Sequence, residues 1–299
     1  MELHAVVVGA GPAGLAAALT LGRMRRRVLV LDTGEPRNRY TEHLHNFPTR
    51  DGVSPLEYRS LAREELGGYP TVSFRDVGAL GAEAGEERVR LVLDGDEAVE
   101  AHRVVLAGGI RDTLPEIDGL AALFGTSIFT CPYCDGYEAG GAAVGLICTG
   151  PSQVSHAAGL LRMLGDDVTI FPNGFEVSDE ERSGADRLGA RVADGPVAQV
   201  RDEGERVAVL LDGGAEARCD RLFVRTEVHP SNRLAEQLGC ATNADGFIEV
   251  DELGRTSVPR VYAAGDACSP VHQVIVAAAS GTRAALAANH DAIESFELA

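Results

Sequence analysis

The chain has 299 residues, 45% of them hydrophobic and 35 of them glycine, with a formal net charge of −18. That length admits two domains with cores of their own, and the composition fits a glycine-punctuated α/β enzyme rather than a disordered or fibrous chain. The acidity argues against nucleic acid or an anionic membrane surface as a partner. No apolar run reaches the about 18 residues of a membrane span. The N-terminus passes from Met1-Glu2-Leu3-His4 into a strand pattern without the basic and apolar regions of a secretory signal, which predicts a cytoplasmic protein.

Ala5-Val6-Val7-Val8 is a short apolar run and predicts a buried parallel strand. It enters Gly9-Ala10-Gly11-Pro12-Ala13-Gly14 and then a helical stretch, Leu15 to Gly22. In a dinucleotide turn, the first glycine permits the tight bend and the second the approach of a pyrophosphate. The third lets helix and strand close up, and the helix N-terminus adds the positive end of its dipole. A second strand, Val28–Leu31, ends at Asp32, 18 residues after Gly14. A carboxylate there accepts from ribose hydroxyls. A glycine triplet alone is weak evidence; strand, loop, helix, strand and acid in this order are specific. The loop from Arg37-Asn38 to His43-Leu44-His45-Asn46 offers His45 as a cofactor contact or a proton acceptor. Val104-Val105-Leu106-Ala107-Gly108-Gly109 then reads as a returning strand before the chain crosses over.

Cys131-Pro132-Tyr133-Cys134, continuing into Asp135-Gly136-Tyr137-Glu138, carries the redox signal. Two cysteines at this spacing can close a small disulfide, and the flanking turn can lower a thiol's pKa, which makes such pairs reactive. The alternative is half of a zinc site. Zinc needs two further ligands at comparable spacing, and Cys148, Cys219, Cys240 and Cys268 are scattered singly, so no metal is expected.

A second strand-and-loop unit begins at Ala143-Val144-Gly145-Leu146-Ile147, but its loop reads Cys148-Thr149-Gly150-Pro151-Ser152-Gln153. Only Gly150 stands at a glycine position, and Gln153 replaces the small residue of close helix packing. The next strand, Asp167–Phe171, ends in Pro172-Asn173-Gly174. Arginines that would meet the 2′-phosphate of NADPH are missing there, since Arg162 and Arg182 lie outside the loop. The expectation is a domain that keeps its α/β shape without its nucleotide.

Near the C-terminus, Thr256-Ser257-Val258-Pro259-Arg260-Val261-Tyr262-Ala263-Ala264-Gly265-Asp266 resembles the strand-then-Gly-Asp element of two-dinucleotide flavoproteins, whose Asp holds the ribityl and pyrophosphate part of FAD. His272-Gln273-Val274 opens an alanine-rich helix reaching about Ala288. In such a fold its N-terminal dipole favours negative charge on the flavin. FAD is the expected cofactor.

Taken together, the chain resembles the low-molecular-weight thioredoxin reductase family over essentially its whole length. The resemblance rests on the Gly9 to Gly14 loop, Cys-x-x-Cys-Asp at 131–135, and Ser257 to Asp266 with His272-Gln273-Val274. Within that family Arg37-Asn38, His43 to Asn46, Cys134 to Glu138 and the degenerate second loop are similar to the NADPH-independent dithiol oxidases of gliotoxin and holomycin type. His272 and Glu227 depart from the usual reductase pattern, which carries Arg and Gly there.

The resemblance implies two Rossmann-like three-layer α/β domains, the second inserted in the first. The FAD domain would comprise 1–112 and 243–299, and a degenerate NADPH-type domain carrying the Cys pair 113–242. It implies a homodimer. It also implies FAD contacts from Gly9, Gly11, Pro12, Ala13, Gly14, Asp32, Arg37, Asn38, His45, Ala107, Gly265, Asp266, Gln273 and Val274. The expected reaction oxidises a small-molecule dithiol to its intramolecular disulfide, with Cys131 attacked, Cys134 passing electrons to FAD, Asp135 moving protons and O2 giving H2O2. The rivals are a thioredoxin reductase fed by NADPH or ferredoxin, and a non-catalytic redox sensor.

Overall fold

The computed structural model describes residues 2–95, 97–150 and 154–295. The chain divides into two compact units. One comprises Met1–Arg39, Asn46–Arg111 and His229–Ala299; the other comprises Tyr40–His45 and Asp112–Val228. The first unit opens with β1 (Leu3–Val8), α1 (Pro12–Arg23), β2 (Val28–Leu31), α2 (Pro55–Gly67) and β3 (Val72–Arg75). It continues with β4 (Ala79–Ala84), β5 (Val89–Leu93) and β6 (Ala98–Leu106), and β7 (Ile110–Thr113) leads out of it.

The second unit starts with α3 (Leu120–Leu123), β8 (Ile128–Phe129), α4 (Pro132–Asp135), β9 (Gly141–Ile147), α5 (Val154–Arg162) and β10 (Gly165–Phe171). It is completed by α6 (Asp179–Arg187), β11 (Ala190–Val192), β12 (Val197–Asp202), β13 (Val207–Leu211), β14 (Glu216–Cys219) and β15 (Arg221–Val224). After β16 (Glu227–Pro230) the first unit resumes with α7 (Arg233–Gln237), β17 (Val261–Ala263) and α8 (Val274–Glu294).

In the first unit β3, β2, β1 and β6 lie side by side and parallel, and β17 pairs with the second half of β6. The first half of β6 pairs antiparallel with β5. Only the buried second half is an apolar run, so the sequence expectation of a strand over Val104–Gly109 missed the alternating start and ran past the strand's end at Leu106. Val7, Val30 and Val105 face α1, α2 and α8, while Val6, Leu29, Leu31 and Leu106 face β4, β5 and α7. This is the period of two that puts successive side chains on opposite faces.

The alanines of α8 serve close packing. A Cβ at Gly281 would fall 1.9 Å from the Ala13 carbonyl oxygen, so α8 and α1 touch backbone to backbone. Helix α8 does not stop at Ala288, as the alanine pattern suggested, but runs to Glu294. Its last turns are anchored by Asp291, which accepts from Arg255 at 2.7 Å and from the Tyr262 hydroxyl at 2.6 Å.

The second unit repeats the plan. Its parallel sheet runs β11-β10-β9-β15-β8, with α5 and α6 on one face and the antiparallel strands β12, β13 and β14 on the other. Each unit is therefore a three-layer α/β Rossmann-like fold, the second inserted in the first. Among the described residues no helix is long and apolar enough to cross a membrane.

Candidate active site

In the first unit, the turn between β1 and α1 has the geometry of a dinucleotide cradle. A Cβ at Gly9 would stand 2.3 Å from the Ala107 carbonyl oxygen, and one at Gly14 would stand 1.8 Å from the Gly9 carbonyl oxygen. The fold itself demands those two glycines. A Cβ at Gly11 would meet no protein atom within 4 Å, so its bare backbone faces open space. Pro12 occupies the first turn of α1, whose N-terminus has no side-chain cap and no acidic residue. Its backbone donors are thus available to an anion. At the end of β2 the buried Asp32 accepts from the Ala10 amide at 3.1 Å and pairs with Arg59.

The C-terminal segment reaches the same cradle: a Cβ on Gly265 would lie 2.9 Å from that of Ala13. The Gly265 amide donates to Ser280 Oγ at 2.8 Å. Arg37 Nη1 lies 4.0 Å from Asp266 Oδ2, and Asn38 follows in the 3-10 turn Arg37–Tyr40. Gln273 precedes α8, which begins at Val274, and its Oε1 accepts from Asn46 Nδ2 at 3.5 Å. His45 belongs to the second unit, in the segment Tyr40–His45.

In the second unit, Cys131 and Cys134 form a disulfide with Cα atoms 5.2 Å apart. Cys131 caps the short helix α4, its Sγ accepting from the Cys134 amide at 3.1 Å. Gly136 lets this turn seat closely, since a Cβ there would stand 2.3 Å from the Pro132 carbonyl oxygen and 2.5 Å from Leu164. Asp135 follows directly. Burial, opposed by the charges of His45 and Arg221 and assisted by that of Glu138, raises its carboxyl to about 6. His45 Nε2 lies 3.6 Å from Glu138 Oε1. A carboxyl group that changes protonation near neutrality thus adjoins the disulfide, with an imidazole and a second carboxylate as neighbours.

The other cysteines are of a different kind. Burial pushes Cys148 up to about 11, and Cys219 and Cys268 up to about 12. Such thiols are poor nucleophiles at neutral pH. Among the described residues no group of three or more His, Cys, Asp or Glu side chains could hold a metal ion.

The second nucleotide turn can be laid on the first by strand register. Val8 pairs with Leu31 in one sheet and Ile147 with Phe171 in the other. Cys148 therefore matches Gly9, Gly150 matches Gly11, and Pro172 takes the place of Asp32. Cys148 fills its place with a buried side chain. The Asn173 side-chain oxygen is turned back into the fold, accepting from the Val197 amide at 3.1 Å. Arg162 donates to the Gly165 carbonyl oxygen at 3.0 Å, and Arg182 pairs with Asp194 at 2.8 Å. At the start of α5, the Ser155 amide donates to Glu181 Oε2 at 2.7 Å. Gln153 lies outside the described residues.

Residues 3–281 match the pyridine nucleotide-disulphide oxidoreductase family. The chain belongs to that family. It is 31% identical to "Thioredoxin reductase sirT" of Leptosphaeria maculans, over 95% of this chain and 93% of that protein. Among solved structures it is similar to HlmI (37% identity, TM-score 0.93, 98% of this chain and 93% of that one). It is also similar to an oxidoreductase from Agrobacterium tumefaciens (32% identity, TM-score 0.91, 98% and 99%).

As a member of this oxidoreductase family with a thioredoxin reductase-like fold, the protein is a flavin-dependent thiol–disulfide oxidoreductase that binds FAD. The first cradle fits that cofactor: Gly11 is open where a pyrophosphate approaches, and the N-terminus of α1 carries no competing carboxylate. Sequence reasoning missed Arg59 and Glu181. Both are ordinary surface-type residues within helices, and only the fold carries Arg59 to Asp32 and Glu181 to Ser155.

Proposed function

We propose that the protein is a dithiol oxidase: it converts a small-molecule dithiol to its intramolecular disulfide and delivers the two electrons to dioxygen. The observation that carries this reading is the second nucleotide turn. A cysteine stands where the first glycine is needed, a proline where the acid is needed, and Arg162 and Arg182 are committed to local partners. In addition, Glu181 places a carboxylate on the helix start that would otherwise attract a pyrophosphate. Electrons then enter through sulfur alone.

A substrate thiolate attacks Sγ of Cys131, forming a mixed disulfide and releasing Cys134 as thiolate. The substrate's second thiol attacks its own bound sulfur, closing the product disulfide and expelling Cys131. Asp135, with its carboxyl near 6, takes a proton from an incoming thiol and returns it to a departing one. His45 and Glu138 extend its proton path. The reduced Cys131–Cys134 pair gives up two electrons as its disulfide re-forms, and bound FAD would supply the two-electron chemistry that carries them to O2, released as H2O2.

The same reading places the protein in the cytoplasm, a reducing setting consistent with four cysteines outside the disulfide, three of them buried. It also makes the protein a homodimer, supported by Ile275, Leu286 and Ile293 exposed along α8. The rival is a disulfide reductase, which the name of the sirT relative favours. Anaerobic mixing decides. Dithiothreitol is expected to bleach the flavin band, air to restore it with H2O2, and NADPH to leave it unchanged; rapid bleaching by NADPH selects the reductase.

A further inference from the structure

Arg59 of α2 closes a ring around the cofactor cradle. The Ala10 amide donates to Asp32 Oδ1 at 3.1 Å, Arg59 Nη2 pairs with Asp32 Oδ2, and Arg59 Nε donates to the Ala10 carbonyl oxygen at 3.2 Å. Ala10 lies between Gly9 and Gly11, so the ring ties the middle of the turn to both β2 and α2. The Arg59 and Asp32 side chains are only 11% and 10% exposed. Arg63, one helical turn on, lies 3.7 Å from the same carboxylate oxygen. It is also drawn to Asp76 at 2.9 Å and stacked on Phe74, which leaves Arg59 the principal counter-charge.

We propose that Arg59 is a positioning residue for FAD, acting through Asp32 and the Ala10 carbonyl. It fixes the turn so that the Gly11 backbone stays open, and it leaves Asp32 with acceptor capacity for the ribose hydroxyls. Its charge balances the carboxylate, so a pyrophosphate approaches a neutral pair rather than a bare anion. The planar guanidinium donates to two partners in fixed directions, which an ammonium group does not reproduce. The proposal rests on FAD binding and is independent of the identity of the dithiol or of the electron acceptor.

The test is release of FAD from the holoenzyme on dilution, followed by the fluorescence of the freed flavin. Arg59→Met is expected to weaken retention about tenfold or more, the scale of one lost charge-assisted hydrogen bond. Arg59→Lys should fall between it and the wild type. Arg59→Met combined with Asp32→Asn should lose less than the sum of the two single losses. Excess FAD should raise the melting temperature of Arg59→Met less than that of the wild type, whereas a purely structural role lowers both melting points equally. If Arg59→Met does not fold, Arg59→Lys decides by the same two measurements. Wild-type retention, fully independent losses in the double variant, or an unchanged FAD-induced stabilisation would overturn the proposal.

Discussion

Glu181 Oε2 accepts a hydrogen bond from the Ser155 backbone amide at 2.7 Å, so a carboxylate of α6 sits at the beginning of α5. In the first unit the corresponding helix start carries no acid and no side-chain cap. The two halves of the protein therefore treat an approaching phosphate in opposite ways: one offers backbone donors, the other an anion already bonded to a donor.

NADPH titrated into the protein should accordingly show no saturable binding, and Glu181→Gln alone should not create it. Removing one charge leaves Cys148 and Pro172 where a glycine and an acid are required. Isothermal titration of both proteins checks this. Micromolar binding to the wild type would mean that the second turn still takes a nucleotide.

Cys134→Ser and Cys131→Ser should each abolish dithiol-dependent H2O2 formation, because neither leaves a disulfide to be attacked. Cys148→Ser should retain activity within about twofold, as its buried thiol is held up at about 11 and makes no disulfide. Oxygen-electrode assays with dithiothreitol separate the three. Full loss in Cys148→Ser would place a third sulfur in the reaction.

If Asp135 carries the proton as proposed, one substitution there reads both turnover and stability. Its carboxyl is raised in the fold, from an ordinary 3.8 to about 6. The folded state therefore favours the protonated form. The resulting stabilisation is complete below about pH 4 and is lost as pH rises through 6. Asp135→Asn escapes that loss. Its melting temperature should match the wild type near pH 4 and exceed it by a few degrees above pH 7. Its turnover should fall roughly a hundredfold, the usual weight of a positioned acid–base group. Thermal scans from pH 4 to 8 together with turnover at pH 7 check both halves. A variant less stable than wild type at pH 8 would contradict the burial of a charged group.

Much of this was legible in the sequence because the informative features are local. Gly9 to Gly14 and Cys131 to Asp135 each lie within a few residues, Asp32 follows at the end of the next strand, and the apolar runs of β1, β2, β9 and β10 fall where expected. What the sequence hid depends on contacts between distant segments. Arg59 meets Asp32 across α2 and β2, Glu181 meets Ser155 across two helices, and His45 meets Glu138 across 93 positions. The extension of α8 to Glu294 was hidden for the same reason, since Asp291 reads as a surface acid until Arg255 and Tyr262 are brought to it.

The three glycines of the first turn give the sharpest separation of fold from cofactor. Gly14→Ala would force a methyl group to 1.8 Å from the Gly9 carbonyl oxygen and 3.2 Å from Val7. Neither neighbour can retreat, because both belong to the buried β1–α1 packing. The expected cost is about 2–4 kcal/mol, in the range of severe overpacking, and it should appear whether or not FAD is present. Gly11→Ala meets no protein atom within 4 Å, so the protein should fold normally. The methyl instead stands where the pyrophosphate must approach, and the purified protein should be colourless or lose its FAD on gel filtration. Circular dichroism melts and flavin absorbance on the two variants read the two effects separately. A yellow Gly11→Ala protein that retains FAD through gel filtration would show that the cofactor does not run over this turn.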